Sequence, residues 1–100
     1  MALSLTRAFA LLHRLFLDGG ERPLLWEEHD LSDFNDANEL DELLCFLGDK
    51  GLVSDWTQDL LSLSRRGVDE VKRALSNTET PTEHFPALRD LGLAHLADRR

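Results

Sequence analysis

One hundred residues with 42% hydrophobic content, 19 Asp and Glu against 11 Lys and Arg, and a net charge of -8 describe one small acidic domain. They exclude a second core and argue against a disordered chain. No apolar run approaches the roughly 20 residues needed to span a bilayer, and the lone cysteine, Cys45, excludes an internal disulfide and fits a reducing, cytoplasmic setting.

The elements read as follows along the chain. Leu5, Ala8, Phe9, Leu12, Leu15 and Phe16 recur at helical spacing, which predicts a helix over 3–18 that Asp18-Gly19-Gly20 ends. Arg7 and Arg14 without an acid before Asp18 also match a mitochondrial transit peptide. We read the stretch as the first helix of the domain, because the fold needs it. Glu21 to Trp26, with Pro23, reads as a brief extended piece. His29 to Asn38 is polar, with Leu31 and Phe34 spaced for one or two helical turns that Asp30 or Ser32 would cap.

The clearest helix is predicted over 38–50, where Leu40, Leu43, Leu44 and Leu47 share a face and Glu39, Asp41 and Glu42 load the first turn with acid. Gly48-Asp49-Lys50-Gly51 closes it. Leu52–Trp56 and Leu60–Leu63 form a strand pair turning at 57–59, and Ser64 caps a helix with Val68, Val71 and Leu75 inward. Ser76 to Glu83 has linker composition, and Pro86 starts a last short helix with Leu88, Leu91 and Leu96 inward, which Gly92 weakens by roughly 1 kcal/mol relative to alanine. The expected fold class is mainly α with a short β-hairpin, divided into a domain over 1–76 and a linker with a short C-terminal helix or tail over 77–100.

This order resembles that of a winged helix-turn-helix domain. The likeness is sharpest at LDELLCFLGDKGLV (40–53) and LLSLSRRGVDEVKRAL (60–75), and it covers roughly residues 5–76. It implies that Leu52 and Val53 begin the wing and that Ser64 and Gly67 start the final helix. PTEHFP (81–86) resembles a segment that follows small winged-helix domains in many bacterial proteins, some of which look like parts of defence or effector systems. In those chains a Gly- and Ile-rich tail follows; here ALRDLGLAHLADRR takes its place.

Charge placement carries the functional reading. Glu21 to Asp59 holds twelve acids against Arg22 and Lys50, and Glu27 to Glu42 holds eight acids and no base. Winged helices that bind DNA insert the helix before the wing into the major groove. Here that helix begins with Glu39, Asp41 and Glu42 and the wing carries Asp55 and Asp59, so phosphate is repelled and a basic protein surface is attracted. The expected contact set is Trp26, Glu27, Glu28, Asp30, Asp33, Asp36, Glu39, Asp41, Glu42 and Trp56, with the tryptophans as anchors.

Leu3, Leu11, Leu17, Trp26, Phe46 and Trp56 exceed the plain helix stripes, and pairing of two copies through the first helix is expected. A rival reading is a dimeric regulator that meets DNA through Arg65, Arg66, Lys72 and Arg73, helped by Arg7 and Arg14. A third is an acidic domain that imitates nucleic acid and occupies a DNA-binding protein.

Enzyme chemistry is not expected. DFNDANELDE (33–42) fails the EF-hand pattern at Ala37, Asn38 and Leu44. His13, His29, His84 and His95 lack metal-ligand spacing. Cys45 lies between Leu44 and Phe46, the setting of a small buried hydrophobe, and there is no glycine-rich phosphate loop. No catalytic residue, metal or cofactor is expected.

Overall fold

The computed structural model describes residues 3–20 and 22–99; Glu21, the first residue of the expected extended piece, lies outside them. Helix α1 spans Leu5–Gly19, strand β1 Leu24–Leu25, helix α2 Ala37–Asp49, strand β2 Val53–Trp56, strand β3 Leu60–Leu63 and helix α3 Arg65–Ser76. Short 3-10 turns occupy Trp26–Glu28, Ser32–Phe34 and Ala94–Arg99. The fold is mainly α with a short antiparallel sheet, as the periodicity predicts. Its element order is compatible with a winged-helix-like arrangement. The brief extended piece becomes a third strand: Leu24 and Leu25 pair with Leu61 and Leu60, so the sheet order is β1-β3-β2.

The helix ends form where local chemistry places them. Ser4 accepts the Arg7 N–H at the start of α1, Asp36 accepts those of Asn38 and Glu39 at the start of α2, and Ser64 accepts that of Gly67 in α3. Beyond α2, Gly51 takes φ +73° while Leu52 N–H donates to Leu47 O (2.9 Å) and Gly51 N–H to Gly48 O (3.0 Å). This is a Schellman closure, which needs the left-handed backbone that glycine adopts without penalty.

The core joins α1 (Phe9, Leu11, Leu12, Leu15), α2 (Leu43, Leu44, Leu47), β3 (Leu61, Leu63) and α3 (Val68, Val71, Leu75). His29 ties the acidic loop to this core. Its Nε2 donates to Leu61 O at 2.6 Å, and its Nδ1 lies 3.2 Å from Asp18 Oδ2, which also accepts the Asp30 N–H. The two segments that carry the winged-helix likeness form one joint: Ser64 N–H donates to Leu52 O (3.0 Å) and Ser64 Oγ to Gly51 O (2.6 Å).

Residues after Ser76 fold back onto the domain. Phe85, Leu88, Leu93 and Leu96 belong to the same buried cluster as α1 and α3, and Phe85 meets Phe9 and Phe46 edge to face at 5.2 and 6.0 Å. Thr6 Oγ1 donates to Leu91 O, bridging the two ends of the described chain. The helix expected from Pro86 does not form. After a single turn, Gly92 takes φ +74°, Leu93 N–H donates to Leu88 O (2.8 Å) and Gly92 N–H to Arg89 O (3.2 Å). Gly92 is therefore a helix-stopping residue in a second Schellman closure, not a weak point inside a helix.

Candidate functional site

Helix α2 presents Asn38, Asp41, Glu42, Cys45, Gly48 and Asp49 to solvent, because these residues recur at helical spacing opposite Leu43, Leu44 and Leu47. Among the described residues, no hydrogen bond or ion pair engages the Asp41, Glu42 and Asp49 carboxylates. Trp56 borders this face: it is 39% exposed, and its ring lies 3.9 Å from where a Cβ on Gly48 would sit. The face thus holds three unengaged carboxylates, an exposed thiol and the edge of an indole. Partial desolvation, then the Asp41, Asp49 and Glu42 carboxylates, push the Cys45 thiol above its ordinary value. The thiolate that a nucleophile needs is disfavoured there. Cys45 is exposed rather than a small buried hydrophobe, because it points away from the Leu43–Leu44–Leu47 side of the helix.

Apart from Glu27, the other expected contact residues have intramolecular work. Trp26 donates through Nε1 to Thr57 O (2.8 Å) and through its backbone N–H to Asp59 O (3.2 Å), so it fastens the hairpin turn to the chain before it. Glu28 accepts the Leu25 N–H. Asp36 caps α2. Asp30 accepts both the N–H and the hydroxyl of Ser32 and lies 3.6 Å from Arg14; the Ser32 hydrogen bonds hold its carboxyl below the usual range. Glu27 sits with Leu25, Trp26, Gln58 and Asp59 around a small depression near the hairpin turn. Asp33 lies beside Arg7, and its carbonyl accepts from Nη2.

Glu39 turns away from the exposed face and grips Arg7 through both nitrogens, Nη2–Oε1 at 2.6 Å and Nε–Oε2 at 3.2 Å. These bonds hold the Glu39 carboxyl below its ordinary value and raise the Arg7 guanidinium. The pair's contribution to stability is therefore complete above the ordinary glutamate value of about 4.3 and is lost as pH falls through the lower value in the fold. The melting-temperature gap between the native protein and Glu39→Gln is expected to be full at neutral pH and to close in acid. A gap constant from neutral pH to about pH 2 would remove Glu39 from this role.

The basic residues divide. Arg7 and Arg14 are engaged by Glu39 and Asp30 and line a depression of α1 with His13, Asp33 and His95. Arg65, Arg66, Lys72 and Arg73 are exposed along α3 with no side-chain hydrogen bond or ion pair among the described residues. Arg66 and Arg73 line a different hollow from Arg7 and Arg14. Of the apolar surplus, Leu11 is fully buried and Phe46 packs on Phe85; among the described residues, Leu17, Leu25 and Trp56 are the large apolar side chains left exposed. Asp49 is missed when the acidic run is read as ending at Glu42. The spacing 41, 42, 45, 49 is the signal that places it on the same face.

No helix among the described residues is long and apolar enough to cross a membrane. Compared with protein-family models, with curated proteins and with solved structures, the chain matches none.

Proposed function

We propose that the chain is a winged-helix module without enzymatic activity whose α2 face recognises a basic protein surface. The carrying observation is that Asp41, Glu42 and Asp49 are exposed on one face, unpaired among the described residues and bordered by the exposed ring of Trp56. Unpaired surface acids attract a cationic partner and speed its encounter. A half-exposed indole supplies the apolar anchor that such contacts favour. The same face opposes DNA, because in a helix-turn-helix it would lie against phosphate. Resemblance of residues 81–86 to segments of bacterial defence and effector proteins supports an adaptor role in such a system. Pairing of two copies through α1 would use the Leu17 end, since the rest of its apolar face is in the core.

One observation favours a second reading. The four unpaired cations Arg65, Arg66, Lys72 and Arg73 offer DNA a surface outside α2. Labelled mixed-sequence duplex DNA, titrated at low salt and then across a salt series, separates the two. The expected result is no binding. Binding that weakens steeply with salt and disappears when the α3 cations are replaced by Glu would establish the regulator reading instead. In parallel, D41K/E42K/D49K is expected to lose at least about tenfold in affinity for a basic partner recovered with the native protein while its melting temperature changes little. Undiminished affinity would sink the acidic-face reading.

A further inference from the structure

Glu70 is a buried carboxylate that the core does not explain. It lies on α3 between Gly67 and Ala74, both buried, and is itself 4% exposed. No Lys or Arg nitrogen among the described residues comes within ion-pair distance of it. Its hydrogen bond is a long one, from the backbone N–H of His84 at 3.4 Å. Burying a carboxylate is costly unless it is paired or coordinates a metal. A second group faces the same place: the His84 side chain is partly buried, its enclosed Nε2 has no hydrogen-bond partner among the described residues, and Glu83 Oε2 lies 3.8 Å from it.

Packing of the tail brings these groups together. Phe85 enters the core against Phe9 and Phe46, and Thr82 closes a tight turn around it by accepting the Phe85 N–H and donating to Phe85 O. That turn lays Glu83 and His84 against α3. One donor atom each from Glu70, Glu83 and His84 then lies within 4.8 Å of the others.

From this arrangement we propose that Glu70, Glu83 and His84 hold a divalent transition-metal ion, zinc fitting best, which clamps the segment after Ser76 to α3. One imidazole nitrogen and two carboxylates form a donor set that zinc accepts in a tetrahedral site with a fourth position open, whereas calcium and magnesium prefer oxygen alone. Tetrahedral zinc bonds of roughly 2.0–2.2 Å put donors about 3.4 Å apart, so the groups here must close by up to about 1.4 Å from a spread within 4.8 Å. Glu83 supplies part of that movement, because its side chain is 67% exposed and free to swing; the remainder is a side-chain adjustment that brings Glu70 and His84 together. Charge favours a cation: the adjoining hollow is lined by Asp69, Glu70 and Glu83 against Arg66 and Arg73, three carboxylates to two guanidinium groups.

Zinc chloride is titrated into the full chain against a chromophoric chelator, with the melting temperature followed in parallel. The expected result is one zinc per chain, a raised melting temperature, and a loss of at least about tenfold in affinity in both Glu83→Gln and His84→Gln. Glu83 is exposed, so its variant keeps the metal-free fold and decides the matter even where Glu70→Gln destabilises the chain. D41N/E42Q is expected to bind zinc as the native protein does. Unchanged affinity in Glu83→Gln, no zinc bound by the native chain, or loss of binding in D41N/E42Q would each overturn the site. Failure of the zinc site leaves the α2 reading intact, since the two share no residue.

Discussion

Gly67→Ala is expected to destabilise the protein by about 3–5 kcal/mol, although replacing glycine by alanine inside a helix ordinarily gains up to about 1 kcal/mol. The reversal comes from contact. A Cβ on Gly67 would sit 2.2 Å from Leu52 O and 3.1 Å from Leu52 C. These are backbone atoms, so no side-chain rotation relieves the clash. Leu52 O is also held by the Ser64 N–H, and Gly51 O by the Ser64 hydroxyl. Moving α3 away would break both bonds, each worth about 1 kcal/mol net, on top of an overpacking cost of about 1–3 kcal/mol.

A domain of this size has only about 5–15 kcal/mol of stability, so a fall in melting temperature of about 15 °C or more is expected. Gly48→Ala is the matched comparison. Its Cβ would meet only the Trp56 ring at 3.9 Å, an ordinary contact, and a gain of a few tenths to about 1 kcal/mol is expected. Thermal unfolding of the two variants side by side checks both signs. Equal tolerance of alanine at the two sites would mean that Leu52 does not lie against α3.

Phe85→Ala carries the second large effect. Phe85 is buried, meets Phe9 and Phe46 edge to face, and belongs to the cluster shared by all three helices. Truncating such a side chain costs about 3–5 kcal/mol through lost transfer energy and the cavity left behind. Because Phe85 also seats the turn that carries Leu88, Leu93 and Leu96 onto the core, the loss is expected to be cooperative. Urea unfolding should show one transition at a lower midpoint, and limited proteolysis should find new cleavage between Asn77 and His84. A loss under about 1 kcal/mol with unchanged proteolysis would make the segment after Ser76 an accessory rather than part of the core.

Much of this architecture was legible in the residues. The helices of Leu5–Gly19, Ala37–Asp49 and Arg65–Ser76 follow from apolar spacing, and the strands at Val53–Trp56 and Leu60–Leu63 from short apolar runs flanking a polar turn. Gly51 and Ser64 mark their ends by chemistry that acts within a few residues. Gly92 misled for an equally local reason: glycine reads as a weak helix residue or as a stop, and which it is depends on whether Leu88 and Leu93 are buried together, as they are here.

The acidic run shows the limit more sharply. Eight acids in sixteen residues read as one face, because a sequence displays charge without partners. Tertiary structure sorted them. Glu39 went to Arg7, 32 residues away in sequence, Asp30 to Ser32 and Arg14, Asp36 to the start of α2, Glu28 to Leu25 and Asp33 beside Arg7; Glu27 stays exposed near the hairpin turn, and Asp41 and Glu42 with the more distant Asp49 form the unengaged set on α2.

By itself the sequence determined where the chain coils, extends and stops, because those choices are settled by hydrogen bonds and side-chain spacing within a turn or two. Only the tertiary structure decided that β1 joins the sheet, that Phe85 completes the core, that Glu70 meets His84, and which carboxylates remain free. Each depends on groups well separated along the chain, and packing of the core sets their distances.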